Sequence, residues 1–486
     1  MLMIDRNDNP GEVFLDFVVN TGYKDEPEID EDGKPLFRRS TAVHRGSEEE
    51  DQLSTMRDLR EFFKIYDRFD VNYTNECGLT HFHVACEFGF DDVVKKFLEL
   101  GQDPNCLSQE SVDIDPPLNM ALANHHDTVA RLLLESGANP NLANLNGWTP
   151  LHIICKRSEN LSDYDDDYAE IFFKINDDVN QTVQINAQDK SGNTPLHMAL
   201  EYGLVVTSET LLRRGADPNI TNAEGLTPLH VICKRDYNDD LVEAFFKIND
   251  ELQQTVQVDV KDEMGRTPLQ YATSNILPNV IEFLLDHGAD LSGFVFPSEN
   301  DFDETCEAWH WEISSYFNLK LASGALACVE RLEKKRYEMD RSDALTIMNV
   351  LVNKKVFEMP LDLDESWYDD ERFAGRAAKM EIRKNLTLYD FVRSPPEKAT
   401  KLLLYMEYFE FGNFDYSVCH YKELFEASTA HLCEILSRRF FQRWAMDPLM
   451  ELTRYRLPIL CCEMIIKQLN NEDLRNVCLA TANQSS

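Results

Sequence analysis

The chain has 486 residues, 43% of them hydrophobic and 10% aromatic, which excludes a chain disordered throughout and is too long for one core unless that core grows in one dimension. Its formal charge is −38, unevenly spread: residues 376–480 hold 15 Lys and Arg against 14 Asp and Glu, so the remainder carries −39. A surface that negative repels phosphate backbones and argues against nucleic acid as a partner; it suits basic protein surfaces, and solubility alone explains it equally well.

From Met1 through Arg6 to Glu12 charges come before any apolar stretch long enough for a secretion signal. No run approaches the roughly 18 apolar residues of a membrane span, so no membrane association is expected. The 12 cysteines are scattered, with no CxxC, which fits a reducing compartment and a cytoplasmic, possibly nuclear, location. Residues 1–52 are rich in Asp and Glu between scattered apolar residues and read as a poorly ordered segment. Phe62–Ile65 (FFKI) marks a degenerate first repeat beginning near Leu53.

The main signal is internal repetition. TPLH recurs at Thr149–His152, Thr194–His197 and Thr227–His230, with looser copies at Thr80 (THFH), Pro116 (PPLN) and Thr267 (TPLQ). Each unit closes alike, with GANPN at Gly137–Asn141, GADPN at Gly215–Asn219 and GAD at Gly288–Asp290. A Thr such as Thr227 can cap a helix that Pro228 opens at its first position, and Gly215 can take the left-handed conformation that stops the second helix. Gly192, Gly225 and Gly265 then fall in the turns leading to the next unit. Two matched motifs per unit resemble the ankyrin repeat, which implies a stack of about six helix pairs over residues 53–292.

A larger duplication aligns Trp148–Thr182 with Leu226–Thr255 through the shared strings ICKR and FFKIND. The extra residues of the long units fall in the acidic loop Ser158–Asp167 and in Asp178–Gln184. His152, His197 and His230 are read as structural, since copies one repeat apart do not converge on one ion; no metal or cofactor is expected. The ankyrin resemblance implies a binding wall made of turn tips and first-helix ends. Candidates for target binding are Asn146, Trp148, Lys190, Asn193, Glu224, Lys261 and Arg266 at the tips, with Lys156, Arg157, Lys234 and Arg235 at the helix ends. Trp148 either offers an exposed anchor or packs on the next turn.

After Asp290 the signature stops. Asp301–Glu304 reads as an acidic loop. Residues 293–375 read as a helical cap on the last repeat and an acidic linker, Asp362–Glu371, with apolar stripes at Leu319, Leu321, Leu326, Val329 and Leu332 and at Ala344–Val352. Leu457–Ala480 then gives a Leu-Pro entry, an apolar helix with Leu460, Met464, Ile465 and Leu469, a polar break at Asn470-Asn471, and a second helix opened by Asp473-Leu474. This resembles the first half of an F-box. With Leu386–Phe391, Pro395-Pro396, Leu402–Phe411 and His431–Trp444, residues 376–480 resemble the PRANC region that follows ankyrin repeats in poxviral, insect and endosymbiont proteins. The fold class expected is therefore all-α, an ankyrin-repeat solenoid followed by a helical F-box-like region.

The resemblance implies a ubiquitin-ligase specificity subunit: the repeats recruit a target protein, while Leu457, Pro458, Ile465, Leu469 and Leu474 dock the Skp-type adaptor of a cullin–RING ligase. The alternative is a stoichiometric inhibitor or scaffold that masks a partner such as a transcription factor. Enzymatic activity is not expected. No Walker loop, GxSxG or HExxH occurs, and Cys461-Cys462 lacks a nearby His or Lys that would favour a thiolate.

Overall fold

A Thr cap, a Pro at the first helical position and a left-handed Gly at the far end dictate short helices in pairs, and the described residues of the computed structural model form seven such pairs. It describes residues 10–29, 36–47, 52–107, 114–156, 168–235, 241–308, 314–360, 367–383, 386–394, 396–399, 404–412 and 422–482. Contacts divide the chain into two units, Met1–Val231 with Glu243–Val256, and Ile232–Val242 with Gln257–Ser486.

In the first unit, helix α1 (Pro10–Asn20) packs on α3 (Gln52–Ile65), and α2 (Ala42–Gly46) packs on both α3 and α4 (His81–Glu87). The expected poor order of residues 1–52 is thus corrected for residues 10–20 and 42–46. Thr41-Ala42-Val43-His44 repeats the Thr-x-x-His pattern of TPLH: the Thr41 backbone N–H donates to His44 Nδ1 at 3.1 Å. The first helix pair therefore begins at Thr41, and Leu53 lies in its second helix. Val43 and His44 are buried, which no overall composition of the segment could convey.

The following pairs are α4 with α5 (Asp91–Glu99), α6 (Pro117–Ala123) with α7 (Asp127–Glu135), α8 (Pro150–Lys156) with α9 (Tyr168–Asp178), and α10 (Pro195–Glu201) with α11 (Val205–Arg213). Helices α12 (Pro228–Lys234) and α13 (Leu241–Glu251) continue the series. First helices touch first helices along the chain, as α4 touches α6, α6 touches α8 and α8 touches α10. Each buries its apolar residues: Leu118, Leu151, Leu196 and Leu229 are at most 2% exposed. In the long units the left-handed residue after the second helix is Asn180 or Gln253, with φ of 57° and 55°, where the short units use glycine. Asn tolerates that region; Gln pays for it with local strain. The acidic loop Ser158–Asp167 lies outside the described residues, as does Arg157.

The second unit holds the pair α14 (Pro268–Ser274) and α15 (Pro278–Asp286), then α16 (Glu299–Ala308), α17 (Ser314–Lys334) and α18 (Arg341–Asn353). The acidic loop expected at Asp301–Glu304 is instead helical. Ser298 caps α16 through Asp301, whose Oδ2 accepts from both the Ser298 N–H and Oγ–H at 2.8 and 2.7 Å. Carboxylates in a first turn are favourable there, and Phe302 is buried beneath them. Of the acidic linker, residues 367–371 are described, a 3-10 turn leading into α19 (Glu371–Ala377).

A two-stranded antiparallel ribbon follows, β1 (Glu381–Arg383) with β2 (Leu386–Thr387). Then come α20 (Leu388–Val392), α21 (Pro396–Ala399), α22 (Tyr405–Gly412), the 31-residue α23 (Lys422–Leu452), α24 (Ile459–Gln468) and α25 (Asn471–Ala482). Helix α17 is the hub of this unit, packing on α15, α22 and α23 through the expected stripe, all of it buried. The cap is keyed into the last repeat. Ile276, between α14 and α15, takes a left-handed φ of 56°, unusual for a β-branched residue. Its side chain fills the notch left by Gly324: a Cβ there would lie 2.3 Å from Ile276 Cγ2 and 2.8 Å from the Phe409 ring. Gly324→Ala is expected to cost about 3 kcal/mol, because overpacking adds to a strained contact that cannot retreat. Urea unfolding of this variant beside Gly375→Ala, where the space is open, checks it.

Candidate functional site

The repeat histidines are bound to backbone at Nδ1, and two of them at Nε2 as well. Thr149, Thr194 and Thr227 each donate a backbone N–H to Nδ1 of His152, His197 and His230, at 3.1, 3.2 and 3.1 Å. A backbone N–H can only donate, so Nδ1 carries the lone pair and Nε2 the proton. Accordingly, Nε2–H of His152 donates to the Asn193 carbonyl at 3.1 Å, and that of His197 to the Leu226 carbonyl at 3.0 Å. The neutral imidazoles of His152 and His197 each tie their own cap to the next turn. Burial lowers the His152 pKa and takes those of His83 and His197 down to about 4. In the last pair Gln270 reproduces both bonds without a titratable group, accepting from the Thr267 N–H at 2.9 Å and donating to the Val295 carbonyl at 3.1 Å. In the PPLN copy Pro116 has no N–H to offer; Asn119 still donates to the Trp148 carbonyl, but its buried Oδ1 has no partner among the described residues.

The turn tips of the first unit are linked by backbone. Lys190 N–H donates to the Asn146 carbonyl at 2.9 Å, and Ala223 N–H to the Ser191 carbonyl at 2.8 Å. On this ladder Asn146, Lys190 and Glu224 are exposed. Asn193 is engaged, accepting from His152 through its carbonyl and from Asn222 Nδ2 through its side chain at 2.9 Å. Trp148 is half-buried and packed on the next turn: its indole N–H donates to Asp189 Oδ2 at 3.1 Å. Lys156 Nζ sits 4.3 Å from the centre of its ring. Between them these residues offer a fixed aromatic surface with a cation on it, and Lys190 on the adjacent turn.

The other candidates fall in the second unit. Lys234 and Lys261 are exposed, and Arg235 is half-buried. Arg266 is drawn inward: its guanidinium lies over Tyr271 at 4.5 Å, within 3.6 Å of Asp262 and Asp301 and 3.9 Å of Glu304. Its charge is neutralised within the unit. The neighbouring Met264 is 75% exposed and projects from the same tip; a lone Met among charged residues carries no periodic signal.

At the C-terminal end of this unit α24 packs on α23 through Cys462 and Ile466, both buried, one turn apart. Arg438 on α23 donates to the carbonyls of Lys467 and Leu469 at 2.8 and 3.0 Å, and Asn471 donates to the Glu434 carbonyl and to Ser437 Oγ. With this face anchored, the other is bare. Leu457, Ile459, Leu460, Met464 and Ile465 are 37–69% exposed, and Pro458 is exposed beside them. Leu469 is half-buried. Leu474 is corrected: it is wholly buried and unavailable to a partner. Ile459–Ile466 is apolar at nearly every position, so no helical period marks which face turns inward.

Among the described residues no group of three or more His, Cys, Asp or Glu could hold a metal ion, and no helix is long and apolar enough to cross a membrane. The family model for ankyrin repeats matches residues 53–144, 82–164, 118–222 and 206–293. Similar proteins include a putative ankyrin repeat protein of Rickettsia bellii, 33% identical over 119 residues, covering 24% of this chain and 34% of the relative. A putative ankyrin repeat protein of fowlpox virus is 27% identical over 167 residues, covering 34% and 46%. The human transient receptor potential cation channel subfamily A member 1 is 25% identical over 177 residues, covering 36% and 15%. The chain thus spans less than half the length of each of these relatives. A crystal structure of the human ASB11 ankyrin repeat domain aligns at 25% identity over 43% of this chain and 84% of that one, with a TM-score of 0.33. Helix pairs, capped turns and the family match agree, and residues 53–293 of this chain are ankyrin repeats.

Proposed function

We propose that the chain is an adaptor without catalytic activity of its own, whose repeats hold a target protein while α24 docks the Skp-type adaptor of a cullin–RING ligase. The observation that carries the reading is the bare apolar face of α24, beginning at the Leu457-Pro458 entry. Exposed apolar residues standing together on one helix are what a partner interface uses as buried anchors. The work done is proximity, raising the effective concentration of the target near a ubiquitin-loaded enzyme. On the repeats, the fixed tips around Trp148, Lys156 and Lys190 are the favoured contact for the target, since rigid residues lose little entropy on binding. The reading requires a cytoplasmic or nuclear location.

Leu460→Asp with Met464→Asp is expected to weaken adaptor co-purification by about 30-fold or more, the effect of losing central apolar anchors. Both side chains are 69% exposed, so circular dichroism and melting temperature stay unchanged. Lys467→Ala, also exposed, serves as the neutral control. Burial of Leu474 shortens the anchor set and keeps the masking inhibitor as the second reading. If the unaltered protein retains no adaptor under conditions where a complete F-box protein does, the masking reading replaces this one.

A further inference from the structure

Helix α23 ends in a strained turn. Arg454 and Tyr455 both lie in the left-handed region, with φ of 52° and 56°, and neither is a glycine or asparagine that would adopt it freely. The turn is held by backbone: the N–H groups of Arg454 and Tyr455 donate to the carbonyls of Glu451 and Met450, each at 2.8 Å. Strained backbone of this kind clusters at binding and switch sites. What this turn presents is charge. Arg454, Tyr455 and Arg456 are exposed, immediately ahead of Leu457-Pro458 and the bare face of α24. Neither arginine side chain has an ion pair or a hydrogen bond among the described residues, in a chain that holds 86 Asp and Glu against 48 Lys and Arg. Glu451, the nearest carboxylate upstream in sequence, is taken by Arg341 at 2.8 Å.

We infer, on the reading of α24 as the adaptor-docking helix, that the adaptor presents an apolar groove rimmed by carboxylates, and that Arg454 and Arg456 steer it by meeting that rim while Leu460 and Met464 fill the groove. Opposite charge is what the two cations lack within the chain, and charge complementarity at the edge of an apolar contact sets the encounter rate. A carboxylate-rimmed partner is repelled by a chain of −38 on most approaches. Residues 376–480 are near neutral, with 15 Lys and Arg against 14 Asp and Glu, so two free arginines beside α24 bias the encounter toward the apolar face. A flat anionic membrane exposes far more charge to so acidic a chain than a groove does, which favours a protein as the occupant.

Association of the full chain with a purified Skp-type adaptor, followed by stopped flow at about 50 and about 300 mM NaCl, tests this. The association rate constant should fall about five-fold or more at the higher salt. Arg454→Ala with Arg456→Ala should slow association about five-fold at the lower salt and flatten the salt dependence, while the dissociation rate stays within about two-fold. Arg454→Lys with Arg456→Lys should restore most of the rate, since the charge is retained. Arg454→Gly should keep or raise the urea midpoint, because glycine relieves the left-handed turn, and still slow association. Association that is insensitive to salt, or unchanged in the double alanine variant, with the adaptor still bound, would overturn the steering role and leave the docking reading standing. No binding of the adaptor by the unaltered chain would overturn both. A lower urea midpoint in Arg454→Gly would assign that arginine to the fold in place of the partner. Binding to vesicles of phosphatidylcholine with about one-third phosphatidylserine, lost in the double alanine variant, would assign the cations to lipid instead.

Discussion

Gly192→Ala is expected to destabilise the protein by about 3–5 kcal/mol, whereas Gly265→Ala, at the equivalent turn position, costs about 1 kcal/mol. The two glycines have nearly the same backbone, with φ of 77° and 79°, so the left-handed penalty is shared. What differs is the space. A Cβ on Gly192 would sit 2.7 Å from the Ala223 nitrogen and 3.0 Å from Asn222 backbone atoms, while one on Gly265 meets nothing within 4 Å. The obstacle is backbone, held by the Ala223 N–H to Ser191 carbonyl bond, and cannot swing aside as a side chain would. Relieving the clash means parting two tips of the ladder that carries Trp148, Lys190 and Asn193. Gly147 is in the same position, its Cβ site 2.9 Å from the Lys190 nitrogen, and its Ala variant should behave like that of Gly192. Equilibrium urea unfolding of each variant measures the difference; equal losses for Gly192 and Gly265 would rule out the tip contact as the cause.

Acid should destabilise the first unit well before its carboxylates are protonated. His44, His83 and His197 have pKa values lowered by burial to about 4, against 6.5 when unfolded. A depressed pKa means the unfolded chain binds more protons between these values, so the stabilisation is full above about pH 6.5 and is lost as pH falls toward 4. Between pH 7 and 5.5 each such histidine is expected to cost about 1 kcal/mol, and the three together about 3–4 kcal/mol. The geometry gives the same sign, because protonating His197 places a proton on Nδ1 where the Thr194 N–H already donates. His197→Gln supplies the decisive comparison. Gln270 shows that a glutamine makes both bonds in this position, so the variant should keep most of its stability at pH 7 and lose about one histidine's share of the acid sensitivity. Urea titrations at pH 7 and 5.5 on both proteins test this; an unchanged pH slope would remove the histidine caps as its source.

The sequence alone determined the repeats, because every Thr-Pro-Leu-His and every left-handed glycine encodes a local event. A cap, a first turn and a stop are decided by neighbouring residues, so they can be read from six copies of one motif. It also carried the first pair, in Thr41 and His44, but the two residues between them are not Pro-Leu and the compositional signal of the segment pointed elsewhere. The helical cap was legible for the same reason as the repeats, since Leu319 through Leu332 keeps one apolar stripe.

Only the tertiary structure decided where side chains on those elements end up. Arg266 and Lys261 belong to the same tip, yet only Arg266 is taken up by Asp262, Asp301 and Tyr271, the Asp301 coming from a helix 35 positions along the chain. On α24 the near-continuous apolar run left two faces equivalent until Cys462 and Ile466 met α23, which left Leu460 and Met464 exposed; on the next helix, α25 packs on α23 and Leu474 is buried. Helix α23 runs through Pro448, and the Trp444 carbonyl that loses its helical donor there is met by the Cys478 thiol of α25, 34 residues along the chain. Local chemistry fixes which elements form; burial of one face instead of another depends on partners distant in the chain, and a pattern without periodicity gives no way to choose between them.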